Sequence, residues 1–192
     1  MKSPIYNVKA IPIERIIPGF YTSTVMTDDK LDLLYKSIKE DGYTSPILCF
    51  YDEALDAYGI IDGYYRYRVM TDHVDIYERE EGLLPVCIID KPLANLVISV
   101  YRHNMSRGIP DVHFTSMLVR KLVDLGKSSD YIKRHLNIND DLLSRFKNIK
   151  SITDMFSENV FDSEKEKRKE SSLNLFRVDL IFFDNILINF IN

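Results

Sequence analysis

The 192-residue chain contains no tryptophan and two cysteines, Cys49 and Cys87. The cysteines form no CxxC or zinc-ligand spacing and both lie in apolar runs, so we predict buried free thiols in a reducing, cytoplasmic compartment. The first residues hold no long apolar stretch and no small-residue cleavage site, which argues against secretion. The P-loop, GxGxxG, HExxH and GxSxG motifs are also lacking, which excludes the protein classes that those motifs define.

A large excess of either charge is lacking too. The chain has 25 Lys and Arg residues against 29 Asp and Glu, a formal net charge of −4. This balance excludes a uniformly basic coat for nucleic acid but allows a local basic face. Hydrophobic residues make up 45% of the chain and charged residues 28%, which is enough for a core and excludes wholesale disorder.

Glycine and proline are scarce in the second half of the chain. All seven prolines lie at or before Pro110, and the last glycine is Gly126. Because these residues interrupt regular structure, the front half is expected to be rich in turns and the back half to be helical. We predict three parts, namely a domain over residues 1–110, a helical segment over residues 111–162 and an atypical tail over residues 163–192.

The front half alternates strand patterns with helix patterns. Apolar residues at helical spacing predict a first helix that Thr27 caps and Gly42 ends. A second helix is predicted to begin at Gly63, and a third to follow Pro92 and to end near Gly108. Short apolar runs predict strands over residues 11–18, 46–51, 57–62 and 85–90.

The back half has the pattern of three amphipathic helices, HFTSMLVRKLVDLG, SSDYIKRHL and DDLLSRFKNIK. This outline is typical of a helix-turn-helix, although three packed helices of another kind would give the same pattern. Residues 112–150 hold eight Lys or Arg against four Asp, so this segment favours an anionic partner, with a solvated helical face as the alternative. Asp140 and Asp141 at the start of the last helix would repel phosphates, so sequence-specific readout is not expected. The residues predicted to contact DNA are Lys133, Arg134, Arg145 and Lys147.

The tail has a mixed charge run followed by an apolar stretch. Arg177, Asp179 and Asp184 interrupt that stretch, and a membrane-spanning helix would bury each charge at a cost of roughly 2.5–3.5 kcal/mol. We therefore expect no membrane partner. A docking helix, a self-association segment and an aberrant terminus stay open.

The segment YGIIDGYYRYRVM, residues 58–70, carries the most chemical information. A strand pattern leads to Asp62 and Gly63, where a helix begins, and the free amides of a helix start beside a glycine form a natural phosphate site. Arg66 is placed to reach back as a bidentate clamp, and Arg68 follows two residues later. The alternative is an ordinary turn with two surface arginines. Tyr64 and Tyr65 could stack on a base.

A second cluster, VYRHNMSRGIP, lies at residues 100–110. Asn104 offers an amide oxygen to a metal or a ribose hydroxyl, and Arg107 offers a second phosphate clamp. His103 could bind a divalent metal or phosphate, or cap the helix. In GYTSPI, residues 42–47, Thr44 and Ser45 could donate to a nucleotide or only shape the turn. The alternative for residues 100–110 is that they form only the polar end of a helix, with ordinary basic residues.

The chain resembles the ParB/sulfiredoxin superfamily because it contains three of its motifs in the same order and spacing, EDGYTSPI, IIDGYYRYR and HNMSRG. Within that superfamily it is most similar to the short ParB-like proteins of bacterial genomes and prophages, including the IbrB-type co-activators of gene expression. The resemblance covers roughly residues 8–160. It implies an α+β fold, a small mixed sheet with helices followed by a helical, helix-turn-helix-like DNA-binding segment. It also implies CTP binding with Mg²⁺ and dimers on DNA.

The chain departs from the family pattern at three positions. Tyr64 and Tyr65 stand where the family has a glutamate and an arginine, and His103 stands where it has the metal-binding glutamate. Because Mg²⁺ prefers oxygen ligands, the histidine weakens the case for metal-dependent CTP turnover. The sulfiredoxin cysteine position, directly after the glycine, is also Tyr64, which argues against sulfiredoxin chemistry.

Three functions follow as hypotheses. The first is a nucleotide-responsive DNA-binding protein that regulates transcription, with CTP or ATP and, on the family pattern, Mg²⁺ as cofactors. The second is a nucleotide hydrolase, phosphotransferase or nuclease in which Asp62 is the catalytic carboxylate. The third is an adaptor with a vestigial pocket. The expected partners are a nucleotide, DNA, a second copy of the chain and a protein encoded nearby.

Overall fold

The computed structural model describes residues 2–18, 26–106 and 112–149. The chain divides into two compact units, Met1–Asp111 and Val112–Asn192. The first unit mixes strands and helices, and the described part of the second is helical, which confirms the predicted α+β class. The strands are β1 (Lys9–Pro12), β2 (Ile16–Ile17), β3 (Ile47–Asp52), β4 (Ala57–Asp62) and β5 (Leu83–Ile88). The helices are α1 (Asp28–Asp41), α2 (Tyr64–Asp72), α3 (Val74–Arg79), α4 (Leu93–Met105), α5 (Val112–Asp124), α6 (Ser129–Leu136) and α7 (Asp140–Asn148).

The five strands form one mixed sheet in the order β1-β5-β3-β4-β2. β1 runs antiparallel to β5 and β3 runs antiparallel to β4, whereas β5 runs parallel to β3 and β2 runs parallel to β4. The central strands β3 and β4 form a hairpin, in which the Asp52 carboxylate accepts hydrogen bonds from the amides of Ala54 and Leu55. This is the small mixed sheet that the resemblance implies.

The strand predicted over residues 11–18 is divided in two. One turn of 3-10 helix, Ile13–Arg15, separates β1 from β2, and the two strands lie at opposite edges of the sheet. Three residues span only about 10 Å, so the sheet must curl to bring its edges together. Ile11, Ile13 and Ile16 are all buried, because the apolar run follows the interior of the curled sheet.

Helices bury the apolar residues of the sheet. Side chains from α1, α2 and α3 join those of β3, β4 and β5 in one core cluster, to which Ile38, Val69, Met70, Ile76, Ile47, Cys49, Ile60 and Val86 belong. Helix α4 packs against β4 and buries residues such as Leu96, Val97 and Val100. The sequence patterns did not predict α3, which follows α2 after the single residue His73.

Both cysteines are buried and free, as predicted from their apolar surroundings. Burial raises the pKa of the Cys49 thiol from 9.0 to about 12, and it raises the pKa of Cys87 as well. Both thiols are therefore protonated at neutral pH, and a protonated thiol is a poor nucleophile.

The described part of the second unit, residues 112–149, packs three helices around a small apolar core. Its buried residues recur at helical spacing on α5 and α6 and include Phe114, Leu118, Leu122, Ile132 and Leu136, and α7 contributes Leu143. The Ser128 hydroxyl caps α6 by accepting a hydrogen bond from the Tyr131 amide, and the side-chain Oδ1 of Asn139 caps α7 by accepting one from the Leu142 amide. Asn137 ends α6 in the left-handed conformation, with φ +54°. The turn from α6 to α7 is therefore three residues long.

The predicted tail over residues 163–192 lies outside the described residues. Across the described ranges, no helix has the length and apolar character needed to cross a membrane.

Candidate functional site

Strand β4 leads the chain into a tight turn at Gly63, directly before α2. Gly63 has φ +103° and ψ 18°, a conformation that side-chain-bearing residues rarely adopt. A Cβ at this position would lie 2.7 Å from Nη2 of Arg66, so the glycine also makes room for a guanidinium group above the turn. The helix predicted to start at Gly63 therefore starts there for a steric reason as well as a conformational one.

Arg66 folds back over this turn, in the direction the spacing predicts. Its Nη2 donates a hydrogen bond to the carbonyl oxygen of Pro46 at 3.2 Å and lies 3.6 Å from the Asp62 carboxylate. The side chains of Arg66 and Asp62 are only 20% and 16% exposed. Arg68 points the other way along α2 and pairs with Asp72 at 2.5 Å. Of the two predicted arginines, the structure places Arg66 at the Gly63 turn.

The loop between α1 and β3 meets α2 at two points. The Tyr43 hydroxyl donates a hydrogen bond to the carbonyl oxygen of Arg66 at 3.0 Å, and the Pro46 carbonyl accepts from the Arg66 side chain. Thr44 and Ser45 lie between these contacts and are exposed. The structure thus connects the loop predicted from GYTSPI with the Gly63 turn. Neither the Tyr43 hydroxyl nor the Pro46 carbonyl was among the predicted site groups, because nothing in the local pattern marks a contact so distant in sequence.

The tyrosines of α2 have different surroundings. The Tyr65 hydroxyl accepts a hydrogen bond from the Met26 amide at 2.8 Å and so ties α2 to the residue before the Thr27 cap of α1. The Tyr64 ring lies edge-on to the Tyr65 ring at 5.3 Å. Tyr67 packs against the core cluster. Stacking of Tyr64 or Tyr65 on a base stays a prediction.

The second predicted cluster is described only as far as Ser106. The Asn104 side-chain amide donates a hydrogen bond to the Val100 carbonyl of its own helix at 2.8 Å, and His103 is exposed in the last turn of α4. Arg107 lies outside the described residues. The convergence of Arg66 and Arg107 on one anion therefore stays a prediction.

The described residues do not fit a magnesium site. In the described ranges no three His, Cys, Asp or Glu side chains come together in a group that could hold a metal ion. His103 and Asn104, the predicted metal ligands, bring no carboxylate, and the hard Mg²⁺ ion prefers oxygen ligands. The described side chains alone therefore do not form a Mg²⁺ site.

Acidic side chains accompany the basic side chains of the second unit. Lys133 lies 3.0 Å from the Asp130 carboxylate and 2.7 Å from that of Asp140, and these partners raise its pKa. The remaining residues predicted to contact DNA, Arg134, Arg145 and Lys147, are exposed. Arg145 pairs with Asp141 at 3.1 Å, and Lys147 donates a hydrogen bond to the Ser129 hydroxyl at 3.0 Å. Arg134 lies on the exposed face of α6. Exposed ion pairs contribute only about 0–1 kcal/mol to stability, so a DNA phosphate can replace the acidic partners of these cations.

Residues 2–75 match the family model of the ParB N-terminal domain. The matched stretch contains both the loop at 42–46 and the Gly63 turn, so it carries the two elements that Arg66 joins. The match confirms that residues 2–75, which include the EDGYTSPI and IIDGYYRYR motifs, resemble the ParB N-terminal domain. The narrower likeness to IbrB-type and prophage proteins stays a prediction.

The chain is similar to the uncharacterized protein YbdM of Escherichia coli (strain K12), with 26% identity over 160 residues, 83% of this chain and 76% of YbdM. Two solved structures of the C-terminally truncated chromosome-partitioning protein ParB from Caulobacter crescentus are also similar. One, complexed with CTP-gamma-S, has 17% identity, a TM-score of 0.41 and coverage of 73% of this chain and 76% of that one. The other, complexed to the centromeric parS site, has 15% identity, a TM-score of 0.42 and coverage of 72% and 69%.

Proposed function

We propose that this chain is a ParB-like regulatory protein whose first unit binds a nucleoside triphosphate, CTP or ATP, and whose second unit binds DNA. In this proposal Gly63 and the amides that follow it receive phosphate oxygens, and Arg66 neutralises their charge. Thr44 and Ser45 donate hydrogen bonds from the adjoining loop. Asn104 and Arg107 complete the nucleotide site from the end of α4.

The observation that carries the proposal is the position of Arg66 above the Gly63 turn. The guanidinium is held 3.6 Å from the Asp62 carboxylate, longer than a strong charge-assisted hydrogen bond. A phosphate group offers several oxygens and up to two negative charges, so it can replace this weak partner with a bidentate one. The helix start beside a glycine supplies amides that point toward the same anion.

The DNA-binding part of the proposal is supported by the local charge of residues 112–150 and by the short turn between α6 and α7. Binding through phosphate contacts releases counterions and must therefore weaken as salt rises. Fluorescence anisotropy with a labelled DNA duplex at about 50 and about 200 mM salt tests this, with and without CTP or ATP. Binding that is absent, or that ignores salt, contradicts this part of the proposal.

Calorimetric titration with CTP, ATP, GTP and UTP, with and without Mg²⁺, tests the nucleotide site. We expect the wild-type chain to bind CTP or ATP and the Arg66→Ala variant to bind at least ten times more weakly, because a charged hydrogen bond contributes about 1.5–3 kcal/mol. Arg79→Ala is a matched control, since the Arg79 guanidinium also donates to a main-chain carbonyl, that of Lys39 at 2.9 Å.

The control should bind nucleotide as the wild type does. If Arg66→Ala and Arg79→Ala behave alike, the Gly63 turn is not the binding site. If the wild type turns a nucleotide over and Asp62→Asn does not, the enzyme hypothesis replaces simple binding. Sedimentation of the chain with nucleotide and DNA tests whether a second copy takes part.

A further inference from the structure

We propose that Tyr43 is a positioning residue for nucleotide binding, acting through the loop that contains Thr44 and Ser45. The proposal rests on the nucleotide-binding function proposed above. Tyr43 belongs to neither of the arginine clusters, and its effect on a ligand would pass through the backbone of its neighbours.

Two hydrogen bonds hold this loop to one residue of α2. The Tyr43 hydroxyl donates to the carbonyl oxygen of Arg66 at 3.0 Å, and Nη2 of Arg66 donates to the carbonyl oxygen of Pro46 at 3.2 Å. The first bond lies before Thr44 and the second lies after Ser45 in the sequence. Because both ends of this dipeptide are attached to Arg66, its position relative to the Gly63 turn is set in the free protein.

The Tyr43 hydroxyl is a dependable donor. Burial raises its pKa far above the ordinary value of 10, and the Glu80 carboxylate adds to this increase while Arg79 and Arg66 oppose it. The hydroxyl is thus protonated at every pH at which nucleotide binding would be measured. The Arg66 carbonyl that it contacts belongs to the first turn of α2, so the contact also holds the helix start in place.

Ordering a flexible loop when a ligand binds has an entropic cost, which lowers affinity. A loop already held at both ends avoids most of that cost. Removal of the Tyr43 hydroxyl frees one end, and Thr44 and Ser45 must then be ordered by the nucleotide itself. The variant should bind the same ligands as the wild type but more weakly.

The test compares Tyr43→Phe with Tyr35→Phe in the full chain. Tyr35 is a matched control because its hydroxyl also joins two elements, donating to Asp75 at 2.9 Å and accepting from Lys39 at 2.8 Å, and neither partner lies in the loop. We expect nucleotide affinity to fall about 2- to 10-fold in Tyr43→Phe, as for loss of one ordinary hydrogen bond, and to stay unchanged in Tyr35→Phe. Both variants are measured well below their melting temperatures. Equal affinity for Tyr43→Phe and the wild type overturns the proposal.

Hydrogen exchange without nucleotide separates the two proposals. The amides of Thr44, Ser45 and Ile47 should exchange about 2 to 10 times faster in Tyr43→Phe than in the wild type and Tyr35→Phe. Faster exchange in a chain that binds no nucleotide would leave the loop attachment in place while refuting the proposed function. Unchanged exchange overturns the positioning role even if the wild type binds CTP or ATP.

Discussion

Replacement of Gly63 by alanine should destabilise the first unit by about 2–4 kcal/mol. An L-residue at φ +103° is strained by about 1–2 kcal/mol. The new Cβ would also lie 2.7 Å from Nη2 of Arg66, so the guanidinium must leave the Pro46 carbonyl. A charged hydrogen bond contributes about 1.5–3 kcal/mol, and the 20% exposure of the Arg66 side chain lets water recover part of it.

Gly42→Ala is the matched control for this substitution. Gly42 also has a positive φ, +76°, but an added Cβ would meet nothing within 4 Å. It should therefore cost only the backbone strain, which is about 1–3 kcal/mol at a positive φ with ψ −172°. Because ψ differs between the two glycines, 18° at Gly63 and −172° at Gly42, the contact with Arg66 is isolated by comparing Gly63→Ala in the presence and in the absence of Arg66.

Urea denaturation followed by circular dichroism measures both losses, and hydrogen exchange in β4 reports on the first unit separately, since two units need not unfold together. In an Arg66→Ala background, Gly63→Ala should cost no more than Gly42→Ala, because the group that it displaces is gone. A loss for Gly63→Ala that is the same with and without Arg66 would refute the steric reasoning.

Three further predictions concern other parts of the molecule. Ellman's reagent at pH 8 should label Cys49 and Cys87 only after urea unfolds the chain, because both thiols are buried; rapid labelling of the native protein would contradict their placement. The Cys49 thiol has a pKa of about 12 in the folded protein and near 9 in the unfolded chain. The unfolded chain therefore loses this proton first, and the free energy of unfolding should fall between pH 9 and pH 12 by up to about 1.4 kcal/mol per pH unit. Urea titrations across that range should show a shallower decline for Cys49→Ala, and identical slopes would contradict the assigned pKa. For DNA binding, Arg134→Ala should lower the slope of log affinity against log salt concentration by about 1. Lys133→Ala should lower it by less, because Asp130 and Asp140 already neutralise Lys133. A larger effect at Lys133 would mean that these ion pairs open when DNA binds.

Tyr64 and Tyr65, at which the chain departs from the pattern that the resemblance implies, have a structural role. The Tyr65 hydroxyl accepts a hydrogen bond from the Met26 amide, so this tyrosine stabilises the start of α1 while it belongs to the predicted nucleotide-binding motif. Its substitution would disturb α1 and the motif together. Tests of base stacking are therefore cleaner at Tyr64, whose ring lies beside that of Tyr65.

Local sequence by itself determined most of the helices and strands of the first unit. Helix α1 ends where Gly42 permits a positive φ, and α2 begins after Gly63 for the same reason. These are properties of one residue and its neighbours, so they can be predicted without knowledge of the fold. Burial of the two cysteines followed in the same way from the apolar runs around them.

Only the tertiary structure decided which segments meet. The apolar alternation of residues 11–18 predicts one strand, but the curled sheet places its two halves at opposite edges, since burial on the inside of a curl does not follow strand periodicity. The contacts of Tyr43 and Pro46 with Arg66 span 23 and 20 positions, and no local pattern encodes them. The hydrogen-bond partner of a hydroxyl or carbonyl group depends on the fold of the whole chain, whereas the conformational freedom of glycine is a property of the residue itself.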